Sequence, residues 1–260
     1  MKWMNPAPSM PELTAFDAVT QLTAAAVYLA IGAAALAQAP RDERTRVFCT
    51  LGLTHAIGFC IPAAAWFLGV KDVLAFDRVP LGIMLAALSV GAILMFHFSQ
   101  VFPTRRPWIR SAGIQLPIGY ALAPVVVFMM VRWWPGTPEQ ITMKFGLMFL
   151  LFGFPLMVLL GLVLPVASIV SFLRSFRETA PNARPVIAGI LLSQLAGGAL
   201  SLLVLGPLHA VAPESFAVTL TALAVWLLGL LTPIAYAAGV WKYNVLAIAP
   251  QRSAEVQPDH

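Results

Sequence analysis

His55, His97, His209 and His260 are the imidazoles of this sequence, and Cys49 and Cys60 its thiols. His55 and His97 fall in consecutive apolar stretches, at depths that the spacing places close together. Two imidazoles facing each other from adjacent helices are a plausible pair of haem or metal ligands. The alternative is an interhelical hydrogen bond for His55 and an interfacial position for His97. Cys49 and Cys60 are eleven residues apart, about three helical turns, and read as small buried apolar side chains. Trp226 lies deep in the last apolar stretch, where its ring could line a cavity, so it joins the two histidines as a candidate ligand- or cofactor-binding residue. No nucleophile stands with a base, and no phosphate loop, nucleophile elbow or zinc spacing is present. The expected catalytic and metal sets are therefore empty, and the expected protein is not an enzyme. No cofactor is the leading expectation, with haem or pigment on His55 or His97 the lesser one.

The elements that must position these residues follow from composition. Hydrophobic residues make up 60% of the 260, charged residues 10%, and mean hydropathy is +0.84. A soluble domain of this size carries about 25% charge and cannot hide so much apolar surface. The chain reads as an integral membrane protein, which sets aside a nucleic-acid partner, disorder and a disulfide-stapled secreted domain. Seven stretches are long enough to span, since about 20 apolar residues cross the hydrocarbon. They lie at about 18–38, 47–69, 79–102, 113–133, 146–172, 187–211 and 217–240. None alternates as a membrane strand does, so helices are expected throughout. The predicted fold is an all-α, seven-helix transmembrane bundle over 18–240, with an outer segment 1–17 and a tail 241–260. Ala37-Gln38-Ala39 resembles a cleavage site, but Glu12 and Asp17 precede it and Pro40 follows it, so the first helix is expected to be retained.

Basic residues give the orientation. Eleven (Arg41, Arg44, Arg46, Arg105, Arg106, Arg110, Arg174, Arg177, Arg184, Lys242 and Arg252) fall on one side, and five (Lys2, Lys71, Arg78, Arg132 and Lys144) on the other. The positive side is the cytoplasmic one, so the N-terminus is expected outside and the C-terminus inside, in a bacterial inner membrane. Asp, Glu, Lys and Arg are missing from the centre of every span. That argues against a proton-coupled transporter, a retinal protein and a voltage sensor, each of which needs a charge there. Pro62, Pro117, Pro124, Pro155, Pro165, Pro207 and Pro233 fall within spans and are expected to bend them. Ser193, Gly197 and Ser201, and the alanine run between Ala24 and Ala39, let neighbouring helices approach closely.

Two chain segments are more specific. The third span ends His97-Phe98-Ser99-Gln100-Val101-Phe102-Pro103-Thr104-Arg105-Arg106-Pro107, and the seventh exits through Pro233-Ile234-Ala235-Tyr236 to Tyr243-Asn244-Val245-Leu246. With Gly119-Tyr120 in the fourth span and Asn182-Ala183-Arg184-Pro185 before the sixth, these resemble the seven-helix N-terminal sensor region of bacterial membrane histidine kinases and related signalling proteins. In that family a linker and output domain follow the last helix; here the sequence ends about twelve residues after Ile248, so a module without its own output is expected. The resemblance implies signal coupling, or a structural clamp, through Phe102, Pro103, Pro233, Tyr236 and Tyr243. A His97–Tyr236 hydrogen bond would join the third and seventh helices. Arg105, Arg106 and Arg110 are expected at the anionic lipid surface, each worth about 1 kcal/mol there.

The leading expectation is a sensor-like module that relays an apolar-ligand or bilayer signal to a separate cytoplasmic partner. The alternatives are an accessory or scaffold subunit of a larger membrane complex, associated with pigment, quinone or haem, and a transporter of a neutral molecule. Membrane lipid and a protein partner are the expected contacts.

Overall fold

The computed structural model describes residues 14–69, 78–103, 115–132, 146–147, 149–181, 183–211 and 215–247, and among them there is no strand. In chain order the helices are α1 (Ala15–Gln38), α2 (Glu43–Phe67), α3 (Arg78–Val101), α4 (Gln115–Arg132), α5 (Phe149–Glu178), α6 (Arg184–Val211) and α7 (Phe216–Trp241). A 3₁₀ turn, Val245–Ala247, follows α7. Six of these helices are long and apolar enough to cross a membrane; in α4 the apolar run is shorter, Gly119–Met129.

Capping fixes several starts. Thr14 Oγ1 accepts from the Asp17 amide, and the Asp17 carboxylate accepts from the Thr14 amide, a reciprocal box that closes the first turn of α1. Asp42 caps α2 by accepting from the Arg44 amide at 2.8 Å, and Ser215 caps α7 through the Val218 amide.

The prolines act in two ways. Pro62, Pro124 and Pro233 sit inside regular α-helix. Pro117 lies in the first turn of α4, and Pro155, Pro165 and Pro207 are each preceded by a π-helical turn: Phe149–Gly153, Leu159–Val163 and Ser201–Leu205. Proline lacks the amide that would bond four residues back, and its ring presses on that carbonyl. The backbone answers by widening. The Leu164 amide donates to the Leu159 carbonyl and the Gly206 amide to the Ser201 carbonyl, each five residues back. At these sites the expected disturbance of the helix takes the form of π turns.

Packing follows the order α1–α2–α3–α5–α6–α7, and α7 returns to α1, closing a ring. α4 stands outside it, against α3 and the first π turn of α5. Close approaches need glycine. A Cβ on Gly52 would lie 2.8 Å from the Tyr28 carbonyl oxygen of α1, and one on Gly189 would lie 2.9 Å from Ala235 Cβ of α7. Ser193 belongs to the same α6–α7 seam and accepts a hydrogen bond from the Thr232 hydroxyl at 2.9 Å.

The main core lies at the end of the bundle where α1 meets α2 and α3 and α7 terminate. It is drawn from all six ring helices and the 3₁₀ turn, with Phe48, Phe98, Phe102, Phe172 and Tyr236 its fully buried rings.

Candidate functional site

Arg44 organises this end. It occupies the first turn of α2, yet it is only 8% exposed. A guanidinium has five N–H donors in a planar fork, and all five are used here. Nε and Nη2 donate to the Asp42 carboxylate, at 3.0 and 2.6 Å. Nη1 donates to the carbonyls of Pro103 (2.8 Å) and Val245 (3.0 Å), and Nη2 also donates to Leu246 (2.9 Å). One side chain therefore joins the α1–α2 turn, the exit of α3 and the segment that follows α7. Burial pushes the Asp42 carboxyl up, but the hydrogen bonds from Arg44 and the charges of Arg44 and Arg46 outweigh it and hold the group below the ordinary carboxylate value. Thr45 completes the turn, its hydroxyl 2.6 Å from the Ala39 carbonyl oxygen.

Inward of Arg44 lies the aromatic cluster. Tyr236 stacks on Phe48 with ring centroids 3.9 Å apart, and meets Phe98 and Phe102 edge-on, each at 5.5 Å. Phe98 stacks on Phe102 and touches Phe172 of α5. A second α3–α5 tie is the Ser171 hydroxyl donating to the Ser99 carbonyl at 2.8 Å.

The expected His97–Tyr236 hydrogen bond is replaced by other contacts. His97 Nδ1 shares a 2.8 Å hydrogen bond with the Tyr120 hydroxyl of α4, and its Nε2 faces Glu43 Oε1 at 3.6 Å. Among the described residues the Tyr236 hydroxyl has no hydrogen-bond partner. α3 and α7 are joined at this point by ring packing, because Tyr236 is enclosed by phenylalanines. Of the other residues expected to couple these helices, Pro103 contributes its carbonyl to Arg44, and Pro233 is buried in α7. Tyr243 packs on the edge of the core with the Lys242 ammonium 5.5 Å from its ring centre. Arg105, Arg106 and Arg110 lie outside the described residues.

The ligand candidates are dispersed. His55 Nδ1–H donates to the Leu51 carbonyl at 2.9 Å, and the ring lies flat on Tyr28, with centroids 5.1 Å apart. A Cβ on Gly91 of α3 would be 3.2 Å from its Cε1. Gly91 is six residues from His97, about 9 Å along the helix. His55 thus faces α1 and α3, His97 faces α4 and Glu43, and the two imidazoles do not converge. Trp226 ties α7 to α1 by donating its indole N–H to the Thr20 carbonyl at 2.8 Å. Among the described residues there is no group of three or more His, Cys, Asp or Glu able to hold a metal ion.

Arg44 itself was missed by sequence reasoning, which counted it only among the basic residues of one side. Its signal was the Asp42-x-Arg44 spacing at a helix start, where the acid caps the helix and reaches the arginine. Tyr120 stood out only within the Gly119-Tyr120 motif, and neither it nor Glu43 carried a signal that tied it to His97.

No family model, curated protein or solved structure matches this chain.

Proposed function

We propose that this protein is a sensor-like module of the bacterial inner membrane, with seven spans, an outer N-terminus and a cytoplasmic C-terminus. It passes a change in an apolar ligand or in the bilayer to a separate cytoplasmic partner. The observation that carries this reading is the Arg44 junction. The segment leaving α7 is held by two carbonyls, Val245 and Leu246, to the same guanidinium that holds the exit of α3 and the α1–α2 turn. A tilt of α3 or α2 is therefore felt where the chain leaves the bundle. The resemblance of the third- and seventh-helix ends to kinase sensor regions supports the same reading, as does the basic character of this end.

The test is purification from native membranes in gentle detergent, with partners identified by mass spectrometry. The expected result is a stoichiometric kinase, phosphatase or cyclase that is lost on Arg44→Met. Recovery with a redox or pigment assembly would overturn it in favour of an accessory subunit. Recovery alone would remove the relay.

A further inference from the structure

A groove of about 320 Å³ opens between α3, α4 and α5, and its lining is almost wholly hydrocarbon. Ile93 and Phe96 form one wall, Gly119 and Leu122 another, and Leu159 and Leu160, both within a π turn, the third. Leu122 and Leu159 are also exposed outward, so the groove communicates with whatever surrounds the helices. It exists because α4 stands off the ring and because α5 is widened where it passes. Gly119 contributes an absence of side chain: a Cβ there would find its nearest neighbour, Ile93 Cδ1, only at 4.0 Å.

The two ends of the groove differ. Toward the Arg44 end, the neighbours of Phe96 and Gly119 in sequence are His97 and Tyr120, the polar pair that bridges α3 and α4. On α5, Arg174 and Arg177 are exposed at this end, and Arg174 lies ten residues beyond the groove residue Leu164, about 15 Å along the axis. The chemistry therefore runs from hydrocarbon through a polar pair to cationic side chains.

The geometry points to a binding site for one acyl chain of an anionic phospholipid, the chain lying in the groove and the headgroup meeting the α5 arginines. A free anion would have no use for the hydrocarbon walls, and a neutral lipid none for the arginines. The site goes beyond the relay proposed above and stands whether or not the bundle signals.

The experiment uses the full chain in phosphatidylcholine vesicles containing a phosphatidylglycerol analogue with a photoreactive group in its acyl chain. Crosslinked residues are mapped by mass spectrometry. The expected label concentrates on Leu122, Leu159 and their groove neighbours, and falls in Gly119→Leu to the level seen on the outer faces of α1 and α7. Leu122→Trp, which narrows the mouth from an exposed position, should lower it as well should Gly119→Leu not fold. Gly198→Leu, on α6 where a Cβ meets nothing within 4 Å, should leave it unchanged. The matching phosphatidylcholine analogue should label the groove about fivefold less at low salt, the effect of one basic residue near a surface, with the gap closing at high salt. Label spread evenly around the bundle, or unmoved by both groove variants, would overturn the acyl-chain site. Equal labelling by the two analogues would overturn its anionic headgroup. Failure to recover a signalling partner would count against the relay and leave these labels where they are.

Discussion

The two halves of this bundle are built on different principles. At the Arg44 end, α2, α3, α5 and α7 bury four phenylalanines and a tyrosine against one another, and a single guanidinium ties three chain segments. In the other half, α5 from Phe149 to Val163 buries only Gly153, and the π turn Ser201–Leu205 of α6 buries nothing. One half is held by side chains that have partners in every direction. The other keeps its backbone bonded through π turns and presents its leucines outward. Side-chain ties between helices are thus concentrated at the Arg44 end and sparse along these stretches of α5 and α6.

This contrast can be broken most directly by cavities. Phe48→Ala or Phe98→Ala should lower unfolding stability by about 3 kcal/mol or more, whereas Leu202→Ala, at a residue 76% exposed, should be nearly silent. Unfolding in lipid nanodiscs, followed by the accessibility of the half-buried Cys49, would read the difference; equal losses would erase the distinction between the halves. Next in size is Arg44→Met, expected to cost about 3 kcal/mol because it leaves the Pro103, Val245 and Leu246 carbonyls without the guanidinium and Asp42 with only the residue-44 amide. Arg44→Lys should recover little, since an ammonium cannot reproduce the planar fork. Differential scanning of both variants beside the parent protein would show whether the junction depends on charge or on geometry.

A third expectation concerns acid. A carboxyl held below its ordinary value in the folded state contributes stability that is fully present above the unfolded value, about 3.9 for aspartate. That contribution is lost as pH falls through the lower folded value. Melting temperature should be insensitive to Asp42 titration near neutrality and drop below about pH 4, and Asp42→Asn should flatten this component of the drop. A midpoint above that range would contradict the hydrogen-bonded carboxylate. The smallest effect is expected for Tyr120→Phe, about 1 kcal/mol for one hydrogen bond. It should loosen α4 from α3 without touching the ring, which hydrogen exchange of the α4 amides would resolve.

The sequence made much of the architecture legible because apolar length is a direct statement about membrane helices. The stretch read at 217–240 is the helix Phe216–Trp241, and 79–102 is Arg78–Val101. The ends that needed tertiary knowledge were harder to read. α5 runs on to Glu178 because Ser171 and Ser175 are buried against neighbours, which polarity alone could not reveal. At the site, Phe102, Pro103 and Tyr236 were visible through their motif, but their interaction was misjudged. A tyrosine near a histidine suggests a hydrogen bond, and only the packing shows that Phe48, Phe98 and Phe102 enclose the ring while His97 turns to Tyr120. Arg44 was hidden for a related reason. A basic residue at a helix start looks like any surface charge until the carbonyls that receive it, from residues 103, 245 and 246, are brought together by the fold.

The Arg44 junction also bears on how the chain is completed. During synthesis the N-terminal part emerges first, so α1, Asp42 and Arg44 are in place while the acceptors are still to come. Pro103 arrives after α3, and Val245 and Leu246 only after α7 has crossed back to lie against α1. Until that moment two of the guanidinium's donors have no protein partner in a region that will become dry. A chain cut short of residue 245 leaves them so permanently. The turn that follows α7 thus supplies the bonds that seal the first turn of α2, and a molecule that lacks it is marked by an unsatisfied arginine.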